Sequence, residues 1–142
     1  MVVEATALSL WNQLRGKKIN ELSADVIVTS QDHLFLEKVI KIVEDRLSVT
    51  DFNIDSVAET IGMSRSAFFK KFKSLTNMAP VEFVRETRLK RAKQLFDAGE
   101  TNVSNVAYGV GFNNPKYFST CFKAQYNATP TEYIRDLNLI SK

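Results

Sequence analysis

Cysteine and histidine are almost absent from this chain, and each scarcity removes a class of chemistry. Cys121 is the single thiol and His33 the single imidazole in 142 residues. No internal disulfide can form, and no cluster of cysteines and histidines has zinc-ligand spacing. A lone imidazole gives little to build nucleophile and base pairs from, and neither a glycine-rich phosphate loop nor a nucleophile motif occurs. The expectation is a protein that is not an enzyme, with no cofactor, catalytic site or metal site. His33 reads as a helix-start residue and Cys121 as a small half-buried one. Long apolar runs are also missing. The longest, Val26 to Val28 and Val39 to Val43 broken by Lys41, fall far short of the roughly 20 residues of a membrane span. The opening residues, with Glu4 among them, lack the basic then apolar pattern of a secretory signal, so a cytoplasmic location is expected.

What is present is an ordinary globular composition with an uneven charge distribution. Hydrophobic residues at 44% and charged residues at 25% favour neither disorder nor a fibrous class. Residues 1–62 carry 6 Lys/Arg against 10 Asp/Glu, net −4, whereas residues 63–142 carry 13 against 6, net +7. A basic half suits nucleic acid, but a solvated basic face has the same composition, so motifs must decide.

The chain repeats itself. At a shift of 49, Ala58 aligns with Ala107 and Gly62 with Gly111. After a one-residue insertion the shift is 50, pairing Phe68 with Phe118, Phe72 with Phe122, Lys73 with Lys123, Asn77 with Asn127, Pro80 with Pro130, Glu82 with Glu132 and Arg85 with Arg135. Two copies of one supersecondary unit follow. In the first copy, Asn53 is placed to cap a helix whose Ile54, Val57, Ala58 and Ile61 form an inward stripe. Gly62 ends it, and Ser64 caps a second helix with Phe68 and Phe72 inward. The second copy uses Val103, Val106, Ala107 and Val110, then Gly111, a cap at Asn113 or Asn114, and Phe118 with Phe122. Each copy is a helix-turn-helix.

Pro80 and Pro130 suit the first turn of a following helix, where a missing N–H costs nothing. From Pro80 to Asp97 the pattern is one continuous helix with Val81, Val84, Leu89, Ala92, Leu95 and Phe96 as its apolar positions, closed by Gly99. Its length, about 27 Å at the helical rise, can hold two recognition helices roughly one DNA turn apart. Residues 33–47 place Leu36, Val39, Ile40, Val43 and Leu47 on one face of a further helix. Residues 1–30 read as a linker or docking arm, with a basic turn, a β-like ADVIVT stretch and Trp11 as a packing anchor. Residues 31–142 form the domain, with one helix-turn-helix at about 54–76, the linking helix at about 80–97 and the other at about 103–126.

The run from Arg65 to Lys73 carries Arg65, Lys70, Lys71 and Lys73 and no acid. With Phe68 and Phe72 inward, Ser66, Phe69, Lys70 and Lys73 fall on the outer side or its flanks. Lysine can donate to guanine or neutralise phosphate, and Phe69 can either touch a thymine methyl or serve as extra core. The equivalent second-copy residues are Pro115, Lys116, Ser119 and Thr120, smaller and less charged, suited to positioning or to weaker readout. Arg85, Arg88, Arg91 and Lys93 alternate with Glu82 and Glu86 on the linking helix and read as intrahelical ion pairs.

The stretch IDSVAETIGMSRSAFFKKFKSLTNMAPVEFVRETRLKRAKQLF, followed by VSNVAYGVGFNNPKYFSTCFKAQYNATPTEYIR, resembles both motif blocks of the DNA-binding domain of AraC/XylS-type transcription regulators. The resemblance runs from about His33 to Leu137. It implies an all-α fold of about seven helices, two helix-turn-helix subdomains joined by a long central helix, here with an irregular N-terminal arm. It also implies sequence-specific binding of double-stranded DNA, with the helices starting near Ser64 and Asn114 in adjacent major grooves and RNA polymerase as a further partner. Asn77 and Asn127 stand where the family usually has glycine, a change asparagine tolerates. Thr120 stands where relatives often carry arginine, which weakens the expected readout of the second helix. The arm, LWNQLRGKKINELSADVIVTSQDHLFLEKVIKIVEDRL, resembles the segment joining a receiver domain to such a domain in hybrid two-component sensors. That resemblance implies the output end of a phosphorelay protein anchored in the inner membrane, with an upstream receiver and homodimerisation of the full-length protein. The alternative is a protein interaction module docking RNA polymerase or a receiver domain. Salt separates the two, because binding through several phosphates weakens steeply as salt rises and an apolar protein contact does not.

Overall fold

The structure, a computed structural model, describes residues 30–49 and 52–140. The arm expected over residues 1–30, with Trp11 and the ADVIVT stretch, lies outside the described residues but for Ser30. The described residues form seven helices: α1 Ser30–Arg46, α2 Asp55–Ile61, α3 Arg65–Thr76, α4 Pro80–Asp97, α5 Val103–Gly109, α6 Pro115–Tyr126 and α7 Pro130–Ile140. Among the described residues there is no strand, and none of these helices is long and apolar enough to cross a membrane. The described chain divides into two compact units. Residues 30–46 and 52–85 make the first, and residues 47–49 and 86–140 the second, with α4 beginning in one and ending in the other.

In the first unit the apolar stripes meet as their spacing requires. Leu36, Val39, Ile40 and Val43 of α1, Val57 and Ala58 of α2, and Phe68 and Phe72 of α3 are all buried. The core is a chain of rings, with centroids 6.0 Å apart for Phe35 and Phe68, 6.0 Å for Phe68 and Phe72, and 5.5 Å for Phe72 and Phe83. Two expectations need correction. Val81 faces solvent, 51% exposed, and Phe83 takes its place in the core at 1%, because the helical period carries the inward side through Phe83 and Val84. Asn53 sits one residue before the helix N-cap position, which Ile54 occupies without a side-chain bond. The Asn53 Oδ1 still accepts from the Asp55 N–H at 2.8 Å, and Ser56 Oγ donates to the Asn53 carbonyl at 2.7 Å.

The second unit repeats the scheme around Leu89, Ala92, Phe96, Val106, Ala107, Val110, Phe112, Phe118 and Phe122, with Cys121 packed at its margin. Its helices α5 and α6 start on asparagines. Asn102 Oδ1 accepts from Asn105 N at 3.0 Å, and Asn114 Oδ1 from Lys116 N at 2.9 Å and Tyr117 N at 3.2 Å. Ahead of α7, Thr129 and Glu132 cap reciprocally. The Thr129 N–H donates to the Glu132 carboxylate at 2.8 Å and the Glu132 N–H to Thr129 Oγ1 at 3.2 Å, a capping box. The bond from the Thr129 backbone holds the Glu132 carboxyl below its usual range. In both copies the second helix of the unit ends on asparagine in the left-handed region, Asn77 at φ 58° and Asn127 at φ 60°, so glycine is not required there.

Two cations of α4, Arg88 and Lys93, depart from the expected intrahelical pairing. Arg88 donates from Nε to the Leu47 carbonyl at 3.1 Å and from Nη2 to the Val49 carbonyl at 2.9 Å. Those carbonyls follow the end of α1 and would otherwise lack helical partners. Burial lowers the Arg88 pKa, but a group starting so high stays charged. Gly111, at φ +103°, lies against this bond, since an added Cβ would collide with the Leu47 carbonyl oxygen. Lys93 places Nζ 5.5 Å from the Tyr126 ring centroid and 6.0 Å from that of Tyr133, a cation–π contact instead of an ion pair.

Truncating Phe72, fully buried, should cost about 3–5 kcal/mol, and a thermal melt of Phe72→Ala at unchanged melting temperature would refute the burial. Tyr133 donates to the Asp97 carboxylate. Burial first, and that bond and charge second, push its phenol up to about 12. Because the folded pKa lies above the unfolded value near 10, this contribution to stability is fully present below about pH 10 and is lost as pH rises towards 12. Tyr133→Phe should therefore show a shallower fall in melting temperature over that interval than the parent chain, read by circular dichroism.

Candidate nucleic-acid interface

Each unit presents one helix whose inward side is fixed by a phenylalanine pair, and the opposite side of that helix is the candidate interface. In the first unit, α2 stops at Gly62, which adopts φ 84° and donates its N–H to the Ala58 carbonyl at 3.0 Å. The chain then turns through Met63 to Ser64, whose Oγ accepts from Ala67 N at 3.2 Å and starts α3. With Phe68 and Phe72 at 0% exposure, a 100° step per residue sets Lys70 opposite that stripe and Ser66 and Lys73 together on one flank of Lys70. All three are exposed, so α3 offers a hydroxyl and two ammonium groups along one outer face.

The remaining cations of α3 do not join that face freely. Lys71 turns towards α1, its Nζ 3.7 Å from Asp32 Oδ1 and 4.7 Å from the Phe35 ring centroid. Arg65, in the first turn, donates from Nε to Asp55 Oδ1 at 2.7 Å. Its guanidinium carbon stands 4.4 Å from the Phe69 ring centroid. Phe69 is half-buried, with its other contact an edge-on packing against Phe68 at 5.8 Å. Phe69 therefore lies between the Arg65 guanidinium and the core.

In the second unit, Asn114 caps α6 and Pro115 fills its first position. Phe118 and Phe122 are buried at 0%, leaving Lys116 and Thr120 exposed and Pro115 and Ser119 half-buried. Thr120 Oγ1 donates to the Lys116 carbonyl at 3.1 Å, so its hydroxyl can accept from a ligand but its proton is already committed. Lys116 is the one charged group among the four second-copy candidates. Tyr117, which the sequence pattern passed over, is 51% exposed beside it, its ring 6.0 Å from that of Phe112. Its signal was available, because Tyr117 aligns with Ala67, a position the repeat leaves outside the core. Tyr108 of α5 is likewise 50% exposed. Among the described residues no group of histidine, cysteine and carboxylate side chains could hold a metal ion.

Residues 57–136 match a family described as a helix-turn-helix domain, a span that takes in the second copy of the repeat and all but the first turn of the first copy. The chain belongs to the AraC-type helix-turn-helix DNA-binding family. It is 42% identical over 110 residues to histidine kinase P4 of Formosa agariphila, covering 78% of this chain and 8% of that protein. It is also 42% identical over 85 residues to an HTH-type transcriptional regulator of Pseudoalteromonas carrageenovora, covering 60% of this chain and 50% of that one. The chain thus spans half or less of the length of these relatives. Among solved structures it is similar to the C-terminal domain of the two-component response regulator YesN of Fusobacterium nucleatum. There the TM-score is 0.64 at 26% identity, over 68% of this chain and 93% of that domain. The DNA-binding domain of the transcriptional factor AdpA, solved in complex with a target DNA, gives a TM-score of 0.68 at 26% identity, over 72% and 91% of the two chains. This AraC-type domain is therefore a DNA-binding module of transcription regulation, and its described residues have the all-α fold of its structural neighbours.

Proposed function

We propose that the domain binds double-stranded DNA sequence-specifically through α3 and α6, each entering a major groove, with α3 the stronger reader. The observation that carries this is the pair of outer faces. α3 exposes Ser66, Lys70 and Lys73, while α6 exposes Lys116 and Thr120, in each case opposite buried phenylalanines. Lys70 and Lys116 serve as donors to base edges or phosphates, Lys73 as a phosphate contact, and Ser66, Ser119 and Thr120 as short hydrogen-bonding groups. Tyr117 adds an amphipathic ring at the edge of α6. Arg65 contributes a guanidinium, Phe69 its support, and Pro115 the fixed start of the helix. The asymmetry in charge between the two helices supports unequal readout.

In the full-length protein the domain is proposed to act as the output module of a cytoplasmic phosphorelay, recruiting RNA polymerase when a receiver domain upstream is phosphorylated and dimerises. Support comes from the resemblance of the N-terminal arm to receiver linkers and from the names of the kinase and response-regulator relatives. Fused to such a receiver, the domain should bind its DNA more tightly when the receiver carries phosphate. Affinity indifferent to phosphorylation would count against the phosphorelay role and leave DNA binding itself untouched.

DNA readout is tested by selecting bound duplexes from a random pool at near-physiological salt. Enrichment of two short elements, the richer one bound through α3, is expected, and tight binding without enrichment would refute sequence specificity. Lys70→Ala should weaken binding to the selected duplex by on the order of 1–3 kcal/mol if the contact is to a base, and should leave the melting temperature unchanged. Equal loss on every duplex, with a salt slope shallower by about one, would assign Lys70 to phosphate instead.

A further inference from the structure

Asp55 is an acid held against the proposed DNA-reading face, an arrangement that opposes DNA electrostatically unless it does something else. Its side chain is 45% exposed and that of its partner Arg65 64% exposed, a surface pair of the kind that contributes little to stability. The repeat gives an internal control. At the shifts that align the two copies, Asp55 corresponds to Ser104 and Arg65 to Pro115, yet the second unit buries its equivalent phenylalanines completely. A helix-turn-helix of this design therefore packs without the pair, and packing does not explain why the first unit has it.

We propose that Asp55 is a positioning residue for DNA readout, its carboxylate aiming the Arg65 guanidinium at a base edge while the Phe69 ring supports it from behind. The proposal rests on the DNA-binding reading of α3. The Arg65 Nε–H is committed to Asp55 at 2.7 Å and one face of the guanidinium to the Phe69 ring at 4.4 Å. What the group still offers is the Nη1 and Nη2 edge, two parallel donors whose geometry matches the O6 and N7 acceptors of guanine. An unrestrained arginine would lose side-chain freedom on forming that contact, and a restrained one has lost it beforehand. The backbone that carries Asp55 is itself held. Its N–H donates to Asn53 Oδ1 at 2.8 Å, and α2 is tied to α1 by Arg46 Nη1 donating to Ser56 Oγ at 3.3 Å. The class of ligand is thus a guanine in the element read by the first unit.

The test uses the duplex selected above and an unrelated duplex of equal length, with the parent chain, Asp55→Ala, Asp55→Asn, Arg65→Ala and the Asp55→Ala/Arg65→Ala double variant. Removing a carboxylate beside DNA should by charge alone tighten binding. The expected result is the reverse for the selected duplex, a loss of about tenfold, within the range for losing one bidentate base contact, with binding to unrelated DNA equal or tighter. In the Arg65→Ala background, Asp55→Ala should change nothing further on the selected duplex relative to the unrelated one. Asp55→Asn, which keeps an acceptor for the Nε–H, should fall between parent and Asp55→Ala. It also serves as the readout should Asp55→Ala prove unfolded by its melting curve. Unchanged affinity, or equal tightening on both duplexes, would overturn the role of Asp55. A parent chain that binds no DNA would instead sink the DNA-binding reading.

Discussion

Two phenylalanines one helical turn apart, Phe68 and Phe72 in one unit and Phe118 and Phe122 in the other, decide which side of each recognition helix meets solvent. All four are fully buried, and their rings pack against one another at 6.0 Å and 5.8 Å. Rotating either helix by one residue would pull about 100° of that face out of the core. The cost of exposing such rings exceeds anything surface lysines could recover. The polar residues of α3 and α6 are therefore aimed by what lies beneath them. The proposed interface is a consequence of core packing, with chemistry added on the far side.

That packing in turn needs turns of one shape. Gly62 and Gly111 both adopt positive φ, and they occupy equivalent places in the two copies, yet for different reasons. A Cβ on Gly62 would meet nothing within 4 Å, whereas one on Gly111 would strike the Leu47 carbonyl and the Arg88 guanidinium. At the first, backbone conformation alone favours glycine. At the second, close approach of another segment adds a steric demand. The helices ending at Asn77 and Asn127 reach the same left-handed conformation without glycine, since the short amide side chain tolerates it.

Charge is arranged locally, and four cations show distinct uses. Arg88 satisfies backbone carbonyls, Lys71 borders Phe35 and Asp32, Lys93 lies over two tyrosine rings and Arg65 is tied to Asp55. A count of basic residues on α3 overstates the charge freely available to DNA, because Lys71 is engaged with α1 and the Nε–H of Arg65 is tied to Asp55. Lys70 and Lys73 remain on the outer face. Net charge steers a polyanion towards the surface, but the residues that can read it are those the core has turned outward.

The repeat, the inward phenylalanines, the glycine turns and the prolines that open α4 and α7 were all legible in the sequence. Each is a local demand: a period of 3.6, a backbone angle, or a missing N–H. The family follows from the same residues. Legibility failed where a side chain's partner lies far along the chain. Arg88 read as an intrahelical ion pair because Glu82 and Glu86 are its sequence neighbours, while its acceptors are carbonyls about forty positions away. Lys71, part of the basic run of α3, turns instead to Asp32 of α1. Val81 and Phe83 could not be ranked by hydrophobicity, and only the rotation of α4 against the core chose between them. Sequence by itself determined the elements and their inward faces, because those are set by nearest neighbours along a helix. Tertiary structure decided which cations are spent inside the protein and which are left for a ligand, because that depends on segments brought together only by folding.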